Sequence, residues 1–237
     1  MQLKQLTLGS RAIVYDANRI PQPGPDLFEP GFWKGLGAVV GQAQGRGNAL
    51  LLETPFGPAV LRQYQRGGMA AKISRDRYIY CGYSRSRPLL EAGILAQLYA
   101  QGLPVPQVLA ASCERHGLVY NGALITARIA DAHPLADCLA GSSGSDALWT
   151  EIGRCLRRFH KAGVYHADLN ARNILVDNIG KVWLVDFDRA RFMKPDSRKL
   201  RQNLARLLRS LGKLGTVSDA ELETGWRSLM AGYQIAE

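Results

Sequence analysis

No stretch of this 237-residue chain approaches the roughly 18 to 20 uninterrupted apolar residues that a membrane-spanning helix needs. The opening Met1-Gln-Leu-Lys-Gln-Leu6 lacks the apolar run of a secretion signal, so an intracellular protein is expected. Cysteine is scarce: Cys81, Cys113, Cys138 and Cys155 stand far apart, with no CxxC pair and no Cys/His cluster. They offer no zinc site and read as buried free thiols in a reducing compartment. Internal repeats, low-complexity tracts and RNP or KH-type RNA-binding motifs are all missing. Acid is the scarcer charge, with 20 Asp and Glu against 30 Lys and Arg, a net charge of +10. That surplus suits a polyanionic partner such as nucleic acid, anionic lipid, or a phosphorylated or carboxylated substrate, although basic proteins are common without one.

What is present is ordinary globular material, 46% hydrophobic and 21% charged. Residues 1–36, with Pro21-Gln-Pro-Gly-Pro25, read as an irregular arm or lid. Residues 37–128 read as an N-terminal lobe. Val39-Val40 and Leu50-Leu51-Leu52 flank the glycines Gly41, Gly45 and Gly47, and a third strand follows over Ala59–Tyr64. Pro88 suits the first turn of a helix that stops at Gly102. Glu91, Ile94, Leu95 and Leu98 share one face of that helix, which places an acid in an apolar stripe. Two short strands are expected at 118–120 and 123–126. Residues 129–237 read as a second, mostly helical lobe. It starts with a helix over about 146–161, then a loop and a hairpin turning at Asp177–Gly180, then a basic helix near 200–214. Strands first and helices second make an α+β chain in two lobes.

The chemistry concentrates in His166-Ala-Asp168-Leu-Asn170-Ala-Arg-Asn173, followed after the hairpin by Asp186-Phe187-Asp188. This fits the kinase catalytic loop H-x-D-L-x-x-x-N and the metal-binding D-F-x element. In such a loop Asp168 takes or orients the proton of the acceptor hydroxyl. Asn173 and Asp186 hold magnesium against the phosphates of ATP. His166 reads as a loop brace rather than a proton carrier, and Asp188 stands where kinases usually have glycine.

The N-terminal half adds weaker signals. Backbone N–H groups at Gly45 and Gly47 suit phosphates, but the spacing departs from G-x-G-x-x-G and a plain hairpin reads equally well. Where kinases have V-A-I-K, this chain has Ala59-Val-Leu-Arg62, so Arg62 is the candidate phosphate-gripping cation and Glu91 its partner. Lys72 is the alternative phosphate ligand.

With these residues in view, the chain resembles the lipopolysaccharide kinase family, most of all its kinases of 3-deoxy-D-manno-octulosonic acid (Kdo). The stretches that carry the resemblance include Val60–Gly68, Asp76-Arg-Tyr78, Arg87–Glu91 and Gly102–Pro106 in the first half. In the second half they are Phe159–Asn170, Leu184–Arg189 and Asn203–Leu211, and together they span roughly residues 37–215. The resemblance implies a protein-kinase-like fold and phosphoryl transfer from ATP, with Mg2+, to a Kdo hydroxyl. The expected hydroxyl is O4 on the Kdo–lipid A precursor of the inner core. It further implies a peripheral enzyme on the cytoplasmic face of the inner membrane.

The residues are compatible with that acceptor. Seven cations (Arg62, Arg66, Lys72, Arg75, Arg77, Arg85, Arg87) lie between residues 62 and 87 against Asp76 alone, and nine more lie in 188–213. Arginine forks suit carboxylates and phosphates, and Arg201, Arg206, Arg209 and Lys213 are candidates to face anionic lipid. Rival readings are a kinase for another small molecule or for protein hydroxyls, and a non-catalytic kinase-like module. An aminoglycoside or choline acceptor would favour acidic residues, and no A-P-E element follows Asp186. No nucleic acid is expected as a partner, and no protein partner is evident.

Overall fold

Along Ala49–Thr54 the side chains of Leu50 and Leu52 are buried while Glu53 is exposed, the alternation of a strand with one covered face. The computed structural model describes residues 1–43, 49–64, 78–140, 144–195 and 197–235. Gly45, Gly47 and Lys72 lie outside the described residues. The chain divides into two compact units, Met1–Gln97 with Pro106–Arg128, and Leu98–Val105 with Ile129–Glu237.

The first unit contains strands β1 (Leu3–Leu8) and β2 (Arg11–Asp16), a short helix α1 (Pro30–Gly35), and strands β3 (Val39–Ala43), β4 (Ala49–Thr54), β5 (Gly57–Gln63) and β6 (Tyr78–Ile79). Helix α2 (Arg87–Ala100) and strands β7 (Val108–His116) and β8 (Val119–Ala127) follow. One antiparallel sheet runs β1-β2-β7-β8-β5-β4-β3, with β6 added on β8. Ile13, Trp33, Leu52, Leu61, Leu109 and Ile125 build its core, and Trp33 Nε1–H donates to Leu27 O at 2.8 Å.

Three expectations change here. The irregular segment expected over residues 1–36 carries β1 and β2, which extend the sheet through β7. Strand β7 itself was not expected. Its Val108-Leu-Ala-Ala-Ser-Cys113 run has little β-branching and is buried on both faces, so packing rather than alternation makes it a strand. The two short strands expected at 118–126 are one continuous β8. Its Gly122 sits where a Cβ would come within 2.6 Å of Pro88 Cγ, so glycine there marks the close passage of α2 rather than a turn.

The second unit holds β9 (His133–Pro134), α3 (Leu135–Cys138), α4 (Asp146–Lys161), β10 (Val164–Tyr165), β11 (Ile174–Val176), β12 (Val182–Leu184), β13 (Arg191–Phe192), α5 (Arg198–Gly212) and α6 (Asp219–Gln234). Helix α4 is capped by Ser145 Oγ, which accepts from Leu148 N–H at 3.2 Å. It buries Trp149, Ile152, Leu156 and Phe159 on one side. Helix α6 packs on it so closely that a Cβ on Gly153 would stand 2.0 Å from Leu229 O. A capping box between Ser218 and Glu221 opens α6. In α5, Leu200, Leu204, Leu207 and Leu211 are buried, while Leu208, which its helical spacing also assigns to the core, is half-buried.

The antiparallel-sheet unit and the mostly helical unit together make the protein-kinase-like α+β class expected from the sequence. All four cysteines are free thiols; Cys113 and Cys155 are buried, Cys138 is half-buried, and Cys81, against expectation, is exposed. Burial pushes the Cys155 thiol up to about 12, so it stays protonated and inert.

Candidate active site

In the second unit the segment from His166 to Asn173 links β10 to β11, and the β11–β12 hairpin returns the chain to its side. The pairing is Ile174 with Leu184 and Val176 with Val182. Asp177 fixes the turn: its Oδ1 accepts from Ile179 N–H (3.2 Å) and Lys181 N–H (2.9 Å), and its Oδ2 from Trp183 Nε1–H (3.0 Å). Val185 N–H then donates to Asn173 O at 3.1 Å, so Asp186 leaves the hairpin directly beside Asn173. Asp186 adopts φ +63°, a left-handed conformation that costs a non-glycine residue on the order of 1 kcal/mol and concentrates at functional sites.

His166 ties the two segments together. Its Nδ1 accepts from Asp168 N–H (3.3 Å), which leaves the ring proton on Nε2 to donate to Val185 O (2.9 Å). The ring is buried, with the Phe187 ring edge-on at 4.9 Å, and burial holds its pKa below the ordinary value. A neutral, doubly bonded imidazole is a brace and not a proton carrier.

The loop is wound by two asparagines. Asn170 Oδ1 accepts from Arg172 N–H (2.9 Å) and Asn173 N–H (3.2 Å). The side-chain amides of Asn170 and Asn173 both donate to Asp168 O, at 2.9 and 2.8 Å. Each bond fixes the backbone beneath the Asp168 carboxylate, and the second also orients the Asn173 amide. The half-buried carboxylate of Asp168 is ion-paired with Arg206 of α5.

In the first unit, Glu91 on α2 is only 2% exposed and pairs with the guanidinium of Arg62 on β5. It also accepts a hydrogen bond from the Tyr64 hydroxyl. The Arg62 guanidinium lies 4.8 Å from the Tyr64 ring centre. Arg87 stacks on Tyr78 at 4.9 Å and donates to its hydroxyl at 2.9 Å. Two of the cations counted on the sequence as a basic cluster are therefore built into a tyrosine-lined polar core, where a guanidinium gains more than in water.

A family model described as the lipopolysaccharide kinase (Kdo/WaaP) family matches residues 31–233. The chain belongs to that family. Relatives named 3-deoxy-D-manno-octulosonic acid kinase include one from Xylella fastidiosa (strain 9a5c), 46% identical over 226 residues, 95% of this chain and 90% of the relative. Another, from Xanthomonas campestris pv. campestris (strain B100), is 43% identical over 229 residues, 96% of this chain and 91% of its own. A third, from Stenotrophomonas maltophilia (strain R551-3), is 44% identical over the same length and shares.

Within this Kdo/WaaP chain, Asp168, Asn173 and Asp186 come together in one hydrogen-bonded unit, and Arg62 meets Glu91 in the other. Sequence reasoning missed what α5 does. Asn203, buried among the leucines, accepts from His166 N–H (3.1 Å) and donates to His166 O (2.9 Å). Ser210 Oγ accepts from Ala171 N–H at 3.2 Å. Of the four candidates to face anionic lipid, Arg206 has its guanidinium on Asp168, while Arg201, Arg209 and Lys213 are exposed. The available signal was Asn203, Arg206 and Ser210 at helical spacing, with a polar residue inside an otherwise leucine face.

Proposed function

We propose that this lipopolysaccharide-kinase-family protein transfers a phosphoryl group from ATP to a Kdo hydroxyl, at O4, on the Kdo–lipid A precursor of the inner core. Asp168 receives the hydroxyl hydrogen and aims the oxygen. Asn173, just before β11, and Asp186, just after β12, offer hard oxygen donors that suit Mg2+, which would neutralise charge developing on the phosphates. Arg62, held by Glu91, is the phosphate-gripping cation, with Lys72 the alternative; Gly45 and Gly47 would offer backbone N–H groups. Positioning and electrostatics are most of what phosphoryl transfer requires.

The observation that carries this reading is the single hydrogen-bonded loop that holds Asp168, Asn173 and the residue before Asp186, in a chain whose relatives are named Kdo kinases. The surplus of cations supports an anionic acceptor over an aminoglycoside-like one. No helix among the described residues is long and apolar enough to cross a membrane. A peripheral station on the anionic cytoplasmic face of the inner membrane, reached through Arg209 and Lys213 of α5, completes the proposal.

The test supplies labelled ATP with Kdo–lipid A precursor, with precursor lacking Kdo, with a kanamycin-like sugar and with a generic protein. Label on the first alone supports the reading. Label on the aminoglycoside or the protein, and none on the precursor, replaces it.

A further inference from the structure

Three residues on one face of α5 reach one stretch of the catalytic loop: Asn203 to His166, Arg206 to Asp168, and Ser210 to Ala171. The outer two bonds are neutral and hold the backbone. The middle one places a full cation on the carboxylate that the reading above makes catalytic. Both side chains remain open to solvent, Arg206 by 46% and Asp168 by 39%. An exposed pair of this kind contributes little to stability, so the fold does not require it. The contact also occupies Asp168 Oδ1, one of the two oxygens able to receive the hydrogen of an incoming hydroxyl.

We propose that Arg206 is an acceptor-binding residue, whose guanidinium takes a carboxylate on the same sugar that offers its hydroxyl to Asp168. The inference rests on the assignment of Asp168 as the group that receives that hydroxyl. A guanidinium carries five N–H donors in a planar fork, so a bond to Asp168 leaves others for a planar oxyanion. Anything bound to Arg206 lies within roughly two hydrogen-bond lengths of Asp168. A hydroxyl on one and an anion on the other therefore belong to groups a few ångströms apart, as on one acidic sugar ring. The phosphates of the lipid moiety are the other source of the same chemistry, and they are farther from the reacting ring.

The consequence is selection for an acidic sugar. When the acceptor carboxylate arrives, Arg206 exchanges partners and Asp168 is released to the hydroxyl. A neutral sugar leaves the guanidinium where it is, and must compete with it. Asn203 and Ser210 hold the helix against the loop, so the exchange needs movement of one side chain only.

The experiment measures acceptor binding by calorimetry without ATP, and steady-state KM for acceptor and ATP, for wild type, R206Q and R206K. Three acceptors are used: the intact Kdo–lipid A precursor, the same molecule with the Kdo carboxylate converted to an amide, and the same molecule stripped of its lipid phosphates. R206Q is expected to weaken intact acceptor about 10- to 100-fold, the range of a charge-assisted hydrogen bond, with partial restoration in R206K. The ratio of wild type to R206Q should collapse toward one for the amide and persist for the dephosphorylated molecule, with the ATP KM unchanged.

A ratio that persists for the amide and vanishes without the lipid phosphates overturns the carboxylate assignment. Equal weakening of ATP, or unaltered acceptor binding in R206Q, overturns the role altogether. Failure of the wild type to bind any Kdo-containing acceptor overturns the substrate reading itself, and is separable because R206Q is not involved.

Discussion

His166 joins Val185 through a 2.9 Å hydrogen bond from its Nε2–H, and so locks the loop of Asp168 to the strand that delivers Asp186. Burial depresses the folded-state pKa of His166 below its ordinary value of 6.5. The unfolded chain therefore binds a proton at His166 that the folded chain refuses, and the stabilisation present above about pH 6.5 is lost as pH falls. Denaturant midpoints of the wild type should drop between about pH 7.5 and about pH 5.5. In His166→Gln that slope should be shallower, from a lower starting stability. Parallel slopes in the two proteins would remove His166 from this role.

The Arg62–Glu91 pair is asymmetric, and its two halves should fail differently. Glu91 is 2% exposed at its side chain and Arg62 23%. Arg62→Met takes the guanidinium from a buried carboxylate that keeps its bond from the Tyr64 hydroxyl, whereas Glu91→Gln leaves a guanidinium that can still hydrate. The first should cost about 3 kcal/mol and the second about 1 kcal/mol in chemical denaturation. The double variant should cost less than their sum, by roughly 0.5–3 kcal/mol. Strict additivity would show that the two side chains act independently.

Gly153 lies at the α4–α6 seam, where an added Cβ would sit 2.0 Å from Leu229 O. The obstacle is backbone, which a rotamer change cannot relieve. Gly153→Ala should therefore lower stability by about 1–3 kcal/mol even though alanine favours helix, read as a lower melting temperature. An unchanged or raised melting temperature would mean that the helices separate freely.

Arg209 and Lys213 remain exposed on α5 and suit an anionic surface. Their joint replacement by Gln should weaken binding to vesicles containing anionic lipid by on the order of 1 kcal/mol per charge, and leave the ATP KM alone. Added salt should mimic the change, because exposed charges are screened over about 8 Å at physiological ionic strength. Vesicle binding that survives both treatments would assign the contact elsewhere.

The sequence was most informative where local pattern and chemistry coincide. The amphipathic runs of α4 and α5, Pro88 at the start of α2 and the Asp177–Gly180 turn all encode their structure within a few residues. So do the loop residues Asn170 and Asn173, whose side chains bond to backbone within five positions. Strand β7 was hidden because its Ala-Ala-Ser-Cys run becomes a strand only between β2 and β8. Asn203 and Arg206 were hidden for the same reason: their partners lie 37 and 38 residues away, a distance that periodicity does not report. The Arg62–Glu91 pair, 29 residues apart, was legible only because a kinase motif announces it; long-range contacts that no motif announces mark where single-sequence reasoning stops.

The most direct test of the proposed chemistry is turnover by Asp168→Asn and Asp186→Asn, with labelled ATP and Kdo–lipid A precursor, in protein shown by circular dichroism to be folded. Each change keeps the shape of its side chain and removes the charge. Each should lower kcat by about 100-fold or more, Asp168→Asn without a comparable rise in the ATP KM and Asp186→Asn with a changed magnesium requirement. Folded variants that both turn over at near wild-type rates would contradict the assignment of these carboxylates to phosphoryl transfer.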